Sequence, residues 1–414
     1  MQEDSGFGAL PRRRGSGSVL THAITAALAA GLAVVLLLVF YSPASGGQGG
    51  SSPGSGAAPS SLNSSQENIV TQVKPGLVLI NTTLQYNSEA AAGTGMVINA
   101  DGLVLTNNHV IDDSTKITAT VVATGKTYPA TVVGYDTTGD VALIRLQNAS
   151  GLTTVPVGTS SPAKAGESVV AVGNAEGKGV MTATPGQITG LNKTITASDE
   201  GGSVTSETLH GMIQTNADIV PGDSGGPLAS SSGVVGMDTA GNDVSDQQGS
   251  ATGFAIPIST ALSVTRQISA GQASSSITIG YPPFLGVFVG SGSGSSPQTQ
   301  AQQQEQQQNG GSGGSDSPPG CYTSNANLTV PSTIAPVRSG TLIDGTICGS
   351  PAASAGMTAG AVISAVNGQA VGSPDDFASI LTHFRPGDTI VVSWISPSGQ
   401  PTTSTLHLTD GPPQ

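Results

Sequence analysis

The chain has 414 residues, enough for two or three domains, with 9% charged and 3% aromatic side chains and 58 glycines. That composition suits a β-rich extracytoplasmic protein with Gly/Ser-rich loops better than a helical one. A formal net charge of −13 argues against a nucleic-acid partner, because phosphate binding needs clustered Lys and Arg, and neither a phosphate loop nor a metal-ligand spacing is present, so no cofactor is expected.

In chain order, residues 1–18 carry the one basic cluster, Arg12-Arg13-Arg14, and residues 19–41 contain an apolar run from Ala23 to Tyr41. At ~1.5 Å per helical residue that run spans roughly 29 Å, close to the ~30 Å of a bilayer core. Positive charge ahead of it predicts a cytoplasmic N-terminus and an exported remainder. A retained transmembrane anchor is the favoured reading, giving a single-pass cell-membrane protein. A cleaved signal, with Ser42 and Ala44 as small residues before the cut, is the alternative and would give a secreted one. Residues 42–65 are nearly all Ser, Gly, Ala, Pro and Asn and read as a flexible linker.

From Gln66 short apolar runs recur between turn residues, among them Leu77 to Ile80, Gly95 to Ile98, Leu103 to Leu105, Ala142 to Leu146 and Val169 to Val172. Many short strands at this spacing predict barrels or a sandwich, with one helix over 259–269. Residues 291–319 are Gly, Ser, Gln and Pro and read as a disordered insertion. After it the pattern is globular again: a strand and turn over 361–368, a helix from Ser373 to Phe384 with Ser373 as cap and Pro374 at its first position, and a strand over 389–394. Cys321 and Cys348 are the two cysteines of an exported chain, and an even count suggests one disulfide; two unpaired buried thiols are the other possibility.

Three runs carry the chemistry: Thr106-Asn107-Asn108-His109-Val110, Asp140-Val141-Ala142-Leu143, and Gly222-Asp223-Ser224-Gly225-Gly226-Pro227-Leu228. A serine hydroxyl is a poor nucleophile unless an imidazole takes its proton and a buried carboxylate holds that imidazole. Ser224, His109 and Asp140 supply one candidate for each role. Asp112, Asp113 and Asp136 compete for the carboxylate role, but the first two are too close to His109 in the chain to fold back easily. The backbone amides of Gly222 and Ser224 are candidates for the oxyanion hole. Ser312 also precedes two glycines, yet it stands in the low-complexity tract, whereas strand-like runs flank Ser224.

These motifs, together with Ala171-Val172-Gly173-Asn174, Gly186 to Asn192, Ile213-Gln214-Thr215 and Gly253-Phe254-Ala255-Ile256-Pro257, resemble the HtrA (DegP-like) branch of the chymotrypsin-fold (S1-type) serine proteases, most of all its actinobacterial, mycobacterial PepA-like members. The resemblance implies a mainly β fold: a chymotrypsin-like double β-barrel protease domain over 66–272 with the triad between the barrels, then an α+β PDZ domain over 280–411 interrupted by the insertion. In that domain Phe284-Leu285-Gly286-Val287 resembles a carboxylate-binding loop, which would take C-terminal peptides as an added strand. The disulfide would then pin the end of the insertion. A homotrimer is the usual assembly that the likeness implies.

Two residues depart from the family pattern. Asp223 stands where most members have Asn, and no newly cut N-terminus is evident to pair with it. Asp218, six residues before Ser224, falls by count where trypsin-like enzymes place the acid of the S1 pocket, although the family usually prefers small aliphatic side chains. The expected function is that of a serine endopeptidase acting on unfolded or damaged proteins outside the cytoplasmic membrane. The alternative is a peptide-binding chaperone with latent proteolytic activity.

Overall fold

The computed structural model describes residues 61–86, 89–157, 163–198, 206–241, 252–289, 296–298, 300–301, 321–325, 328 and 331–413. The expected membrane segment over 19–41 lies outside the described residues. Among the described residues, no helix is long and apolar enough to cross a membrane.

The described chain begins with helix α1 (Ser64–Val73), earlier than the linker reading allows. Asn63 accepts from the amide of Gln66 at 3.0 Å while the Gln66 side chain accepts from the amide of Asn63 at 3.0 Å. This reciprocal capping box fixes a helix start inside polar sequence, and Ile69 and Val73 bury the helix's apolar side. The linker boundary at 65 is therefore corrected by a cap that composition alone does not register.

Six strands form the first barrel: β1 (Leu77–Leu84), β2 (Glu89–Asn99), β3 (Leu103–Thr106), β4 (Lys116–Val121), β5 (Thr127–Asp136) and β6 (Val141–Leu146). They run in the order β5-β4-β1-β2-β3-β6 and close through β5 with β6. Val78, Ile80, Val97, Val104, Ile117 and Ile144 fill the interior, as the alternation of these β-branched strands requires. The one-turn helix α2 (Asn108–Ile111) follows β3 directly.

The second barrel comprises β7 (Ser168–Gly173), β8 (Thr182–Ser198), β9 (Ser206–Thr215), β10 (Pro227–Ser230), β11 (Gly233–Gly241) and β12 (Gly253–Pro257), closed in the order β10-β11-β12-β9-β8-β7. Val169, Ala171, Ile213, Leu228, Val235 and Ala255 pack together as one core cluster of this barrel. Closure removes the edge strands at which a sheet would otherwise recruit another chain. Helix α3 (Ile258–Ser269) falls where the sequence predicts it, and β13 (Ile277–Ile279) returns to pair with β5.

The C-terminal part holds β14 (Pro283–Phe284), β15 (Val287–Val289), β16 (Thr341–Thr346), helix α4 (Pro351–Ser354), β17 (Val362–Val366), β18 (Gln369–Ala370), helix α5 (Pro374–Leu381), β19 (Thr389–Ile395), β20 (Pro401–His407) and β21 (Thr409–Asp410). Its sheet runs β15-β16-β17-β19-β20, with β18 on β17, and β14 pairs with β21. Ser373 caps α5 by accepting from the amide of Asp376 at 3.1 Å, as its position before Pro374 predicts. Phe377 and Ile380 of that helix pack on Ile343, Ile363 and Val392 of the sheet.

Part of the insertion read as disordered is docked. Gln300 is buried, and its side-chain amide donates to Gly340 O at 2.9 Å and accepts from the Leu342 amide at 2.9 Å. It thereby satisfies backbone groups at the start of β16, while Ala301 packs on Ala335, Leu342 and Val362. One amide and one methyl group suffice to complete a strand edge, which an average over a polar tract conceals. Cys321 and Cys348 form a disulfide. The two halves of the described chain also meet directly: the Tyr86 ring stacks on Phe284 at 5.7 Å, Asn325 N donates to Tyr86 O at 2.6 Å, and Asp113 N donates to Pro413 O at 2.9 Å.

Candidate active site

The base of the site is set by the end of β3. Thr106 donates its hydroxyl to Thr94 O at 2.7 Å, the chain turns at Asn107, and α2 presents His109 one residue into its single turn. The His109 side chain is partly exposed at 29%, whereas Asp140 is buried at 1%. Nδ1 of His109 lies 3.0 Å from both carboxylate oxygens of Asp140. A carboxylate accepts, so Nδ1 carries the proton and Nε2 is left as the basic nitrogen.

Asp140 reaches this position through a left-handed backbone, φ +50°, at the entry to β6. Such a conformation persists in a non-glycine residue only when its surroundings fix it. Here Asn107 Nδ2 donates to Asp140 O and to Oδ2, both at 2.9 Å, the His109 amide donates to Oδ1 at 3.1 Å, and the Thr239 hydroxyl donates to Oδ2. Two of the three competing acids serve elsewhere: Asp136 accepts from the amides of Thr138 and Gly139 in the turn after β5, and Asp112 accepts from the amide of Asp113.

Ser224 stands in the loop between Val220 and β10, with Gly222 at φ +94° and Gly225 at φ +83°. A Cβ on Gly222 would be driven into Asn174 O and lie 2.8 Å from Gly177 N, so the turn admits only glycine there. Thr94 of β2 grips the loop from the first barrel: its hydroxyl donates to Gly222 O at 2.8 Å and accepts from Asn174 N at 2.9 Å, and its amide donates to Ser224 O at 2.9 Å. The amides of Gly222 and Ser224 donate to no acceptor among the described residues, so two N–H groups remain available at the Ser224 loop. The Ser224 hydroxyl itself donates to Thr239 O at 2.8 Å.

Thr239 thus binds both Asp140 and Ser224, and Asn107 binds Asp140; sequence reasoning assigned neither residue a role. Asn107 was legible as the flank of His109. Thr239 stands on β11, fifteen residues beyond Ser224, and only barrel closure brings it back to the site.

Asp223 turns inward. Its Oδ2 accepts from Val220 N at 3.1 Å, while Oδ1 is buried with no donor among the described residues. Burial pushes its carboxyl up to about 6, against the lowering effect of the Val220 amide and with a smaller upward push from the charge of Asp218. Asp218 is exposed. Ile219 beside it is buried, and its Cδ1 lies 2.5 Å from where a Cβ on Gly253 would sit, so an apolar side chain covers that glycine.

At the C-terminal loop, Leu285 is buried and its carbonyl accepts from Ala352 N at 3.0 Å, while Gly286, at φ +78°, gives its carbonyl to Ile347 N at 2.9 Å and to the Ser350 hydroxyl at 3.2 Å. The amides of Leu285 and Gly286 donate to no acceptor among the described residues. Val287 opens β15, an edge strand beyond which no described strand pairs.

Comparison with known proteins is consistent with this layout. A trypsin-like peptidase domain family matches residues 93–237, and a PDZ domain family matches residues 347–385. The serine protease PepD of Mycobacterium tuberculosis is 30% identical over 97% of this chain and 80% of its own length. A probable periplasmic serine protease do/HhoA-like of Haemophilus influenzae is 39% identical over 42% of the chain and 36% of its own length. The periplasmic pH-dependent serine endoprotease DegQ of Escherichia coli is 37% identical over 42% of the chain and 37% of its own length. The chain thus spans little more than a third of the last two relatives.

Proposed function

Because the chain belongs to the HtrA (Do-like) family of serine proteases, we propose that it is a membrane-tethered endopeptidase that cleaves unfolded or damaged proteins outside the cytoplasmic membrane. In this reading Ser224 is the nucleophile, His109 the general base and then acid, and Asp140 the group that holds the imidazole. Ser224 Oγ adds to the scissile carbonyl as His109 Nε2 takes its proton. The amides of Gly222 and Ser224 receive the oxyanion, and the protonated imidazole gives the proton to the leaving amine. Water then releases the acyl group by the same steps.

The observation that carries the reading is the His109 Nδ1 contact with both oxygens of a buried Asp140, beside a serine loop with two uncommitted amides. The location rests on the apolar run over 23–41, on relatives named as periplasmic, and on a disulfide that suits an oxidising compartment. The PDZ domain is assigned to C-terminal peptides through the Phe284 to Val287 loop and the open edge of β15, where a peptide can add as a strand. For the S1 pocket the exposed Asp218 and the buried Ile219 support a small aliphatic side chain over a basic one.

A resting form with latent activity is favoured by one contact: the Ser224 proton is given to Thr239 O. The hydroxyl has to turn toward His109 before attack. Active-site labelling with a fluorophosphonate, with and without C-terminal peptides, tests nucleophile and coupling together. Labelling of wild type but not of Ser224→Ala supports the enzyme, and acceleration by peptide supports the latent form. No labelling under either condition, with aggregation of a client still suppressed, would leave only a binding protein.

A further inference from the structure

Asp238 is the most anomalous charged residue among the described ones. It is fully buried at 0% exposure, and both its carboxylate oxygens lack a donor. It lies on β11 directly opposite Ala255 of β12, whose side chain belongs to the core of the second barrel. Opposite residues of an antiparallel pair share a face, so Asp238 projects inward. Asp223 comes to the same interior from the nucleophile loop: its Oδ1 lies 2.5 Å from where a Cβ on Gly173 would sit, and Gly173 shares a strand face with the core residue Ala171. The backbone joins the two sites, since Gly225 N donates to Asp238 O at 2.9 Å and Asp238 N donates to Gly226 O at 2.8 Å.

Two buried carboxyls in one apolar barrel cannot both ionise cheaply, and a proton held between them would supply the donor that Asp223 Oδ1 lacks. The groups facing them are few. β7 contributes Ala171 and Gly173, β10 Leu228, β12 Ala255, and β9 Ile213. Asp218 acts on Asp223 electrostatically, and Asp223 on Asp238. Neither carboxyl has an ion pair with Lys, Arg or His among the described residues. Burial and then the neighbouring Asp223 charge raise the Asp238 carboxyl well above the ordinary range, in keeping with an acid that stays protonated.

We infer that Asp238 is a positioning residue: as a carboxylic acid it donates to Asp223 Oδ1, and the shared proton holds the Gly222 to Ser224 turn with its amides presented. This rests on the oxyanion role proposed for those amides. Asp238→Asn keeps a donor that needs no titrating proton, whereas Asp238→Leu keeps similar bulk and removes the donor.

The test compares pH profiles of kcat/KM for the three proteins on a quenched peptide, with infrared difference spectra in heavy water at pH 7. Asp238→Leu is expected to lose about 10²-fold in kcat/KM, as for a misplaced catalytic group. Asp238→Asn is expected to stay close to wild type and to lose the wild type's alkaline fall. The carbonyl stretch of a protonated acid should appear in wild type and vanish in Asp238→Asn. Equal activity of the leucine variant, equal damage by both substitutions, or an unchanged alkaline limb would overturn the proposal. The infrared band is read without turnover: an acid band with no activity in wild type would sink the enzymatic reading and leave the shared proton, and absence of the band in active enzyme would sink the shared proton alone.

Discussion

Replacing Gly222 with alanine tests the role proposed for the Ser224 loop most directly. A left-handed φ of +94° costs an L-residue roughly 1–2 kcal/mol. The added methyl also collides with Asn174 O and Gly177 N, both backbone atoms that no side-chain rotation can clear. The loop therefore has to turn, and the Gly222 amide leaves the place where an oxyanion would form. Loss of one such donor is worth about 10²- to 10³-fold in kcat, or ~2.7–4 kcal/mol. Because the donor acts on charge that develops in the transition state, KM should change little. Steady-state kinetics on a quenched peptide, with thermal unfolding to verify the fold, give the answer. A folded Gly222→Ala protein with kcat within about threefold of wild type would refute the reasoning, since such a change is well under the loss of one donor.

Thr239→Val removes a donor from a buried carboxylate and should cost about 1.5–3 kcal/mol of stability, with a fall in kcat larger than the change in KM; denaturant unfolding and kinetics measure the two. The Asp223 carboxyl, at about 6 in the fold against 3.8, makes ionisation in the fold unfavourable, so stability is highest below pH 3.8, is lost as pH rises toward 6, and stays reduced above. The difference of about 2.2 pK units corresponds to ~3 kcal/mol. Asp223→Asn should accordingly be more stabilising at pH 7 than at pH 4 by about 2.4 kcal/mol in urea titrations, since pH 4 already lies just above 3.8, and an equal effect at the two pH values would contradict it. Replacing Cys321 and Cys348 with serine opens a 27-residue separation and should lower the stability of the C-terminal part by about 3.5 kcal/mol, measured by calorimetry against the disulfide-bonded wild type.

Most strands of both barrels were legible because alternating β-branched residues between Gly and Asn turns leave few other ways to hide apolar surface. Helix α5 was legible for a local reason as well: Ser373-Pro374 is a start signal that needs no distant partner. Helix α1 and Gln300 were missed for the opposite reason, since each depends on one or two specific hydrogen bonds inside stretches whose average composition is that of a linker. Within the site, His109, Asp140 and Ser224 announce themselves through their flanks. Thr239, Thr94 and Asp238 do not, because a threonine or aspartate in a strand carries no mark of what lies across the barrel.

The sequence by itself determined the reaction type, the order of the three site runs, the two-part layout and the pair of cysteines, all of which follow from local residue patterns and their order. Tertiary structure alone decided that Asp140 is held by four donors, that the Ser224 hydroxyl donates to Thr239 O, and that Asp238 is buried opposite the core residue Ala255. These are contacts between residues up to 99 positions apart. They exist only once closed barrels have fixed the strand register and excluded the water that would otherwise satisfy each polar group separately.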